Sequence, residues 1–160
     1  MDPIAQQLQK AWHQSYGPLS GFLFRYLKNM EWVEDVLQDT AEKALKDWHL
    51  KGVPDNPSAW LSRVAKNRAI DQLRLKGNQT EALEDTMLPC TDQDYLDVFG
   101  DDLMRLIFTC CHPKLSTQDA LAMTLKTIVG FSSDAIAKAL LMKPKTLEQR
   151  IVRTKRKIAA

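Results

Sequence analysis

The stretch from Asn56 to Arg74 has two chemically different sides when its residues are placed on a helix. Apolar residues recur at helical spacing, beginning with Trp60 and Leu61 and ending with Leu73. The other side carries Arg63, Lys66, Asn67, Arg68, Asp71 and Arg74. Lysine and arginine hold phosphates, whereas an amide such as that of Asn67 reads base edges. A solvated basic face is the alternative, but the amide among the cations favours a nucleic-acid surface.

A second concentration of cations lies near the end of the chain. Residues 143–157 contain seven basic residues and a single acidic one, Glu148. A short helix over 134–141, a tight turn and a longer helix over 144–158 have helix-turn-helix dimensions. With the apolar residues turned inward, the outward residues are Lys145, Thr146, Gln149, Arg150, Arg153, Arg156 and Lys157. A helical hairpin inside a bundle is the common alternative, but this excess of positive charge favours DNA.

An acidic side appears on the helix predicted from Glu31 to Trp48. Val33, Leu37 and Ala44 form its apolar side. The opposite side carries, at helical i, i+3, i+4 and i+7 spacing, Asp35, Gln38, Asp39 and Glu42. Taken alone, this pattern indicates a solvated acidic face.

The elements that position these residues are predicted to be helices throughout. A first amphipathic helix begins near Ile4, and Gly17-Pro18 is expected to interrupt it. A loop over 49–55 leads into the basic stretch, where Asn56 is a suitable N-cap. No alternating pattern typical of strands occurs, so the sequence predicts an all-α fold.

The charge distribution divides the chain of 160 residues into parts. Its net charge is only +2, yet residues 77–102 contain eight acids and no lysine or arginine. These acids are Glu81, Glu84, Asp85, Asp92, Asp94, Asp97, Asp101 and Asp102. We therefore predict two basic helical domains, 1–76 and 96–160, joined by an acidic linker over 77–95.

Several functional classes receive no support from the composition. No apolar run is long enough to cross a bilayer and residues 1–10 are polar, so we expect a soluble, cytoplasmic protein without a membrane partner. No nucleophile–base pair, glycine-rich phosphate loop or metal-spaced carboxylate set is visible. We therefore expect neither an enzyme nor a bound cofactor or metal.

Cys110, Cys111 and His112 leave a redox or zinc sensor open as an alternative. Three adjacent residues do not easily converge on one tetrahedral ion, and the remaining cysteine is Cys90 in the predicted linker. Three cysteines also argue against a disulfide framework. We expect core cysteines at the end of a helix.

The motifs together resemble a known family. SAWLSRVAKNRAIDQLR resembles the promoter-melting helix of extracytoplasmic-function sigma factors. EDVLQDTAEKAL is similar to the preceding helix, which in that family docks on the clamp helices of the largest RNA polymerase subunit. DLMRLIFTCCHPKLS and SSDAIAKALLMKPKTLEQRIVRTKRKI resemble the second domain of the family. The resemblance covers nearly the whole chain outside the linker.

This resemblance implies an RNA polymerase sigma factor that directs promoter recognition and transcription initiation. The acidic side would bind core polymerase, and the terminal helix would enter the major groove at the −35 element. The −10 element would meet His49, Lys51, Asn56, Arg63, Lys66, Asn67, Arg68 and Arg74. A base can be read there only after leaving the stack, so the loop before the basic helix should form a pocket beside a cationic channel.

Two departures from the family pattern bear on partners and geometry. Leu141 stands where the family often has glycine in the helix-turn-helix turn. The CCHPKLS variant resembles a branch with a long helical C-terminal extension, so such an extension or an anti-sigma factor is an implied partner outside this chain. The chief alternative is a helix-turn-helix regulator that acts without core polymerase and therefore has no need of the acidic side.

Overall fold

The computed structural model of the chain describes residues 2–89 and 95–159, which contain eight α-helices and no strand. In chain order these are α1 (Pro3–Leu27), α2 (Met30–Lys51), α3 (Pro57–Leu75), α4 (Glu81–Glu84), α5 (Tyr95–Cys110), α6 (Thr117–Thr124), α7 (Ser133–Ala139) and α8 (Pro144–Ala159). A π-helical turn, Leu125–Val129, continues α6. The predicted all-α class is confirmed. Cys90, Asp92 and Asp94 of the predicted linker lie outside the described residues.

The first three helices enclose an apolar interior made of two clusters, and Trp12 packs against both. Asp2 caps α1 by accepting the Ile4 N–H, and Asn29 caps α2 by accepting the N–H groups of Glu31 and Trp32. The faces turned inward bury Phe22, Leu23, Leu37, Trp48, Leu61, Ala65, Ile70 and Leu73. Because this burial fixes the rotation of α2 and α3, it also decides which polar sides face solvent.

The second half has its own apolar interior, formed by α5 to α8. The Ser116 and Ser132 side chains accept backbone N–H groups and cap α6 and α7, a position that serine favours. The buried residues are Leu106, Cys110, Ala122, Met123, Ile136, Ala137, Leu147 and Ile151. This packing holds α7 and α8 as the predicted helix-turn-helix.

Two glycines let α1 approach the second half at backbone distance. A Cβ built at Gly17 would lie 2.8 Å from the carbonyl oxygen of Ile128 in the π-helical turn. A Cβ at Gly21 would lie 2.8 Å from the backbone of Asp102 in α5. Because the two glycines are four positions apart in the helix, both lie on one side of α1. That side is the docking surface for the second half.

Side chains from both halves complete this contact. The rings of Phe22 and Phe99 are stacked with centroids 4.6 Å apart, so an α5 side chain enters the first interior. Met30 of α2 is buried within the second interior. Lys155 of α8 forms a 2.8 Å salt bridge with Glu34 of α2. The halves are therefore joined by apolar burial and by charge.

Three predicted boundaries were wrong. The helix α1 continues through Pro18, because burial on this side outweighs the hydrogen bond that proline cannot donate. The helix α2 extends to Lys51, so the loop begins at Gly52, whose φ of 86° ends the helix. The helix α5 begins at Tyr95, whereas the spacing of Leu103, Leu106, Ile107 and Cys110 predicts a helix only from Asp101.

The glycine contact gives a stability prediction. Gly21→Ala should lower the free energy of unfolding by about 1–3 kcal/mol, because its methyl group meets backbone atoms that cannot rotate away. Gly100→Ala is the matched control, since a Cβ there meets nothing within 4 Å. It should raise the free energy of unfolding by about 0.5–1 kcal/mol. Urea unfolding measures both, and a Gly21→Ala variant as stable as the parent would contradict this docking.

Candidate polymerase and nucleic-acid interfaces

The acidic side of α2 faces solvent. Asp35, Gln38, Asp39 and Glu42 are all exposed, while Leu37 and Thr40 on the opposite side are buried. The Gln38 amide donates to the Glu42 carboxylate at 3.3 Å. Within the described ranges, none of the three carboxylates takes part in a salt bridge. The structure thus places the predicted polymerase-binding residues together on an open, negatively charged surface.

The polar side of α3 is the candidate −10 surface. Arg63, Asn67 and Arg74 are exposed along it, and Lys66 is half-buried. Arg68 is also exposed, but it lines a hollow with Asp39 and Glu42 of α2. Asn56 and Pro57 precede and start the helix as predicted, although the Asn56 side chain makes no capping hydrogen bond. The helix therefore presents cations over its whole length, as a surface for a nucleic-acid backbone requires.

A hollow of about 470 Å³ lies beside the loop before α3. Asn56, Trp60 and Arg63 line it, together with Leu88 and Pro89 of the predicted linker. An aromatic ring, an amide and a guanidinium around a concave space match what an unstacked base requires. The sequence predicted a pocket here but gave no sign that the linker reaches it.

Two of the candidate −10 cations are already engaged. The Lys66 ammonium donates to the carbonyl oxygens of Glu84 at 2.7 Å and of Thr86 at 3.2 Å. Arg74 donates to the Glu84 carboxylate at 2.6 Å. The hydrogen bond from Thr80, followed by that from Arg74, lowers the pKa of Glu84. The carboxylate is therefore ionised at neutral pH and neutralises part of the basic side.

His49 is tied to the start of the chain. Its Nε2 lies 2.6 Å from the Asp2 carboxylate, and its Nδ1 lies 2.6 Å from the Leu45 carbonyl oxygen. The hydrogen bond to Leu45, and then the one to Asp2, raises the pKa of the His49 imidazole. Lys51 is exposed at the end of α2. Both residues stand before the loop, at the opposite end of the candidate surface from Arg74.

The terminal helix presents most of its predicted −35 residues to solvent. Leu147 and Ile151 are buried as expected. The exposed residues are Lys145, Thr146, Gln149, Arg153, Arg156 and Lys157. In the turn before α8, Leu141 has a φ of 55° and is 94% exposed, which is the left-handed geometry that usually selects glycine. The turn therefore keeps the shape of the motif despite the residue change.

The predicted outward orientation of Arg150 was wrong. Its guanidinium donates to the Gln118 side-chain oxygen at 2.8 Å and to the Asp119 carboxylate at 3.4 Å. The side chain is only 23% exposed. Arg150 stands beside Ile151 at the edge of the buried stripe, so the acidic first turn of α6 captures it. Its part in the structure is to hold α8 against α6.

The cysteine–histidine cluster divides between the interior and the surface. Burial raises the pKa of the Cys110 thiol to about 12, while Cys111 is exposed. The His112 ring accepts the Lys114 backbone N–H at 3.1 Å. Among the residues that the structure describes, no group of three or more His, Cys, Asp or Glu side chains could hold a metal ion. The predicted core position is confirmed for Cys110 but was wrong for Cys111, which follows the last residue of α5 and faces solvent.

None of the described helices combines the length and the apolar character that a membrane crossing needs.

Comparison with known proteins connects both halves to one family. Residues 12–79 match Sigma-70 region 2, and residues 105–158 match Sigma-70, region 4. An uncharacterized protein of Rhizobium meliloti (strain 1021) is 35% identical over 148 residues, which cover 88% of this chain and 35% of that protein. The chain thus spans about a third of the length of that relative. The ECF RNA polymerase sigma factor SigX of Bacillus subtilis (strain 168) is 28% identical over 171 residues, which cover 98% of this chain and 84% of SigX.

The two matched regions follow the order of the helices already described. Region 2 falls on α1 to α3, which carry the acidic side and the candidate −10 surface. Region 4 falls on α5 to α8, which include the helix-turn-helix. The chain therefore belongs to the sigma-70 family, within its extracytoplasmic-function (ECF) group.

Proposed function

We propose that this chain is a sigma factor, which binds core RNA polymerase and directs it to promoters to initiate transcription. The observation that carries the proposal is the separation of charge over one short chain. The helix α2 carries an open acidic side, whereas α3 and α8 carry basic sides, and Arg68 of α3 borders the acidic side in a hollow that it shares with Asp39 and Glu42. A regulator that binds only duplex DNA needs the basic sides but has no use for the acidic one. Such a protein works in the cytoplasm, where polymerase and DNA are found.

The proposed polymerase contact is made by the acidic side of α2 with the clamp helices of the largest subunit. Asp35, Asp39 and Glu42 have no salt-bridge partner in the described part of the chain, so their charge is available to a cationic surface. Complementary charge of this kind steers association and fixes register. An anti-sigma factor, or a C-terminal extension outside these residues, would regulate the protein by covering the same surfaces.

The proposed −10 contact combines a cationic track with a base pocket. Arg63, Lys66 and Arg74 lie along α3, where they can hold successive phosphates of one strand. The hollow beside Asn56 and Trp60 is the place for a base that has left the stack. Stacking on an aromatic ring typically contributes about 1–3 kcal/mol per base. Such a surface stabilises melted DNA over duplex and thereby promotes strand separation.

The proposed −35 contact lies at the N-terminal part of α8. Lys145, Thr146 and Gln149 stand nearest that end, which meets base edges in helix-turn-helix proteins. Arg153, Arg156 and Lys157 follow along the exposed side and are placed to contact phosphates. Arg150 is not among the proposed DNA contacts, because its guanidinium pairs with the Asp119 carboxylate.

The polymerase contact gives the test of the proposed function. Changing Asp35, Asp39 and Glu42 together to lysine should weaken binding to core polymerase by about 100-fold or more, because like charges then face each other. Helicity, measured by circular dichroism, should not change, since all three side chains are exposed. Lysine substitutions at Asp55, Asp71 and Glu81 make the same charge change elsewhere on the surface and serve as the control. Equal core affinity of the two triple variants would contradict the assignment and favour a regulator that acts without polymerase.

The −35 contact predicts different effects for two residues of α8. Gln149→Ala should change which −35 sequence is preferred, since a good bidentate base contact supplies about 1–3 kcal/mol of discrimination. Arg153→Ala should weaken all sequences alike and reduce the salt dependence by about one phosphate contact. Binding of polymerase holoenzyme to a set of −35 variants at several salt concentrations measures both. The reverse pattern, with Arg153→Ala altering preference, would show that α8 enters the groove differently.

A further inference from the structure

Residues 80–89, which follow region 2, do not leave α3 as a free tether. Leu83 of α4 is 1% exposed and belongs to the same interior as Ile70 and Leu73 of α3. The Tyr26 and Thr86 hydroxyls lie 2.6 Å apart, which ties the segment to α1 as well. An apolar anchor and a hydrogen bond thus fix the direction in which the chain continues.

That direction runs along the candidate −10 surface. The Lys66 ammonium is held by the carbonyl oxygens of Glu84 and Thr86, and Arg74 is paired with the Glu84 carboxylate. The Thr80 hydroxyl donates to the same carboxylate at 2.6 Å and orients it. Two backbone oxygens and a carboxylate therefore occupy positions on these cations that phosphate oxygens would take.

The far end of the segment reaches the base pocket. Leu88 and Pro89 line the hollow together with Asn56, Trp60 and Arg63. Pro89 is buried and Leu88 is half-buried, so both pack against the protein rather than project into solvent. A ligand in the hollow therefore shares its walls with these two side chains.

We propose that residues 84–89 are an intramolecular occupant of the single-strand binding surface and must leave it before a melted −10 strand can bind. The proposal rests on the proposed function for the identity of the natural ligand, but the competition itself is a property of the isolated chain. Two of the eight candidate −10 residues, Lys66 and Arg74, are bonded to the segment, and two more, Asn56 and Arg63, line the hollow that its far end also lines. The segment lowers the affinity of the free chain for single strands, and displacement by DNA restores it.

The contacts suit reversible displacement. Arg74 and Glu84 are both well exposed, at 61% and 38%, so their salt bridge is weak and sensitive to salt. Phosphate oxygens can replace the carboxylate and carbonyl oxygens one for one, so the cations are never left without partners. Leu83 can stay buried while residues 84–89 move. This anchor keeps the segment close to its original position, so it can rebind when the strand dissociates.

The test compares two double variants of the full chain that carry the same types of change. Glu84→Gln with Leu88→Ser removes the charge that pairs with Arg74 and the apolar side chain at the hollow. Glu81→Gln with Met87→Ser makes matched changes at two exposed positions of the same segment. Binding of fluorescent dT12 is measured by anisotropy at low salt. The first double variant should bind dT12 about three- to ten-fold more tightly than the parent. The gain is modest because the contacts that compete with DNA are exposed to solvent and therefore weak.

The matched control should bind dT12 as the parent does. Equal affinity of the two double variants, or weaker binding by the Glu84 and Leu88 variant, would overturn the proposal. A second measurement on the unaltered chain does not depend on how well a variant folds. The Glu84, Asp85 and Thr86 amides donate to backbone carbonyls within the segment, so saturating dT12 should accelerate their hydrogen exchange. Slower or unchanged exchange would mean that DNA binds without displacing the segment.

Binding to core polymerase distinguishes a failure of this proposal from a failure of the proposed function. Both double variants keep the acidic side of α2, so both should bind core polymerase as the parent does. Failure of the parent chain to bind core polymerase would overturn the proposed function, whereas the dT12 results decide the competition by themselves.

Discussion

The close approach of α1 to the second half of the chain is the contact on which the rest of the arrangement depends. Gly17 and Gly21 allow helix backbones to meet where any Cβ would intrude. This approach brings Phe99 onto Phe22 and Lys155 within reach of Glu34. The candidate DNA surfaces of the two halves are thereby held in one compact body. A compact chain of this length has a radius of gyration of about 15 Å.

Promoter binding places a different demand on the same two halves. Elements centred near −10 and −35 are about 25 base pairs apart, or about 85 Å at 3.4 Å per base pair. A body as compact as the free chain cannot touch both at once. On the proposed function, engagement of both elements would require the glycine contact to open, with residues 77–95 as the tether between the separated halves.

Sequence periodicity was sufficient for features that depend on local signals. The caps at Ser116 and Ser132, the outward acidic side of α2 and the buried pair Leu147 and Ile151 follow from residue type and helical spacing. The features that sequence periodicity missed depend on contacts with residues far away in the chain. Pro18 remains helical because α1 is buried against another element, and Arg150 turns inward because an acidic first turn lies beside it.

The position of the linker on the candidate −10 surface could likewise not be predicted from the sequence. Its acidity was evident from composition, but composition cannot say which cation each acid meets. Lys66, Arg74 and the hollow receive the segment because the burial of Leu83 sets its course. Asp102, one of the eight acids of residues 77–102, is instead buried in α5, where desolvation raises its pKa despite the nearby Arg25. The charge distribution along the sequence therefore located the acidic residues but not the cations that each of them meets.

Transcription by purified components tests the central claim most directly. Core RNA polymerase and genomic DNA fragments are combined with or without the chain, and the 5′ ends of the transcripts are mapped. A sigma factor predicts new transcripts that begin at discrete positions and share sequence elements near −10 and −35. Discrete binding of the chain to duplex DNA without polymerase, combined with no chain-dependent transcripts, would contradict this account.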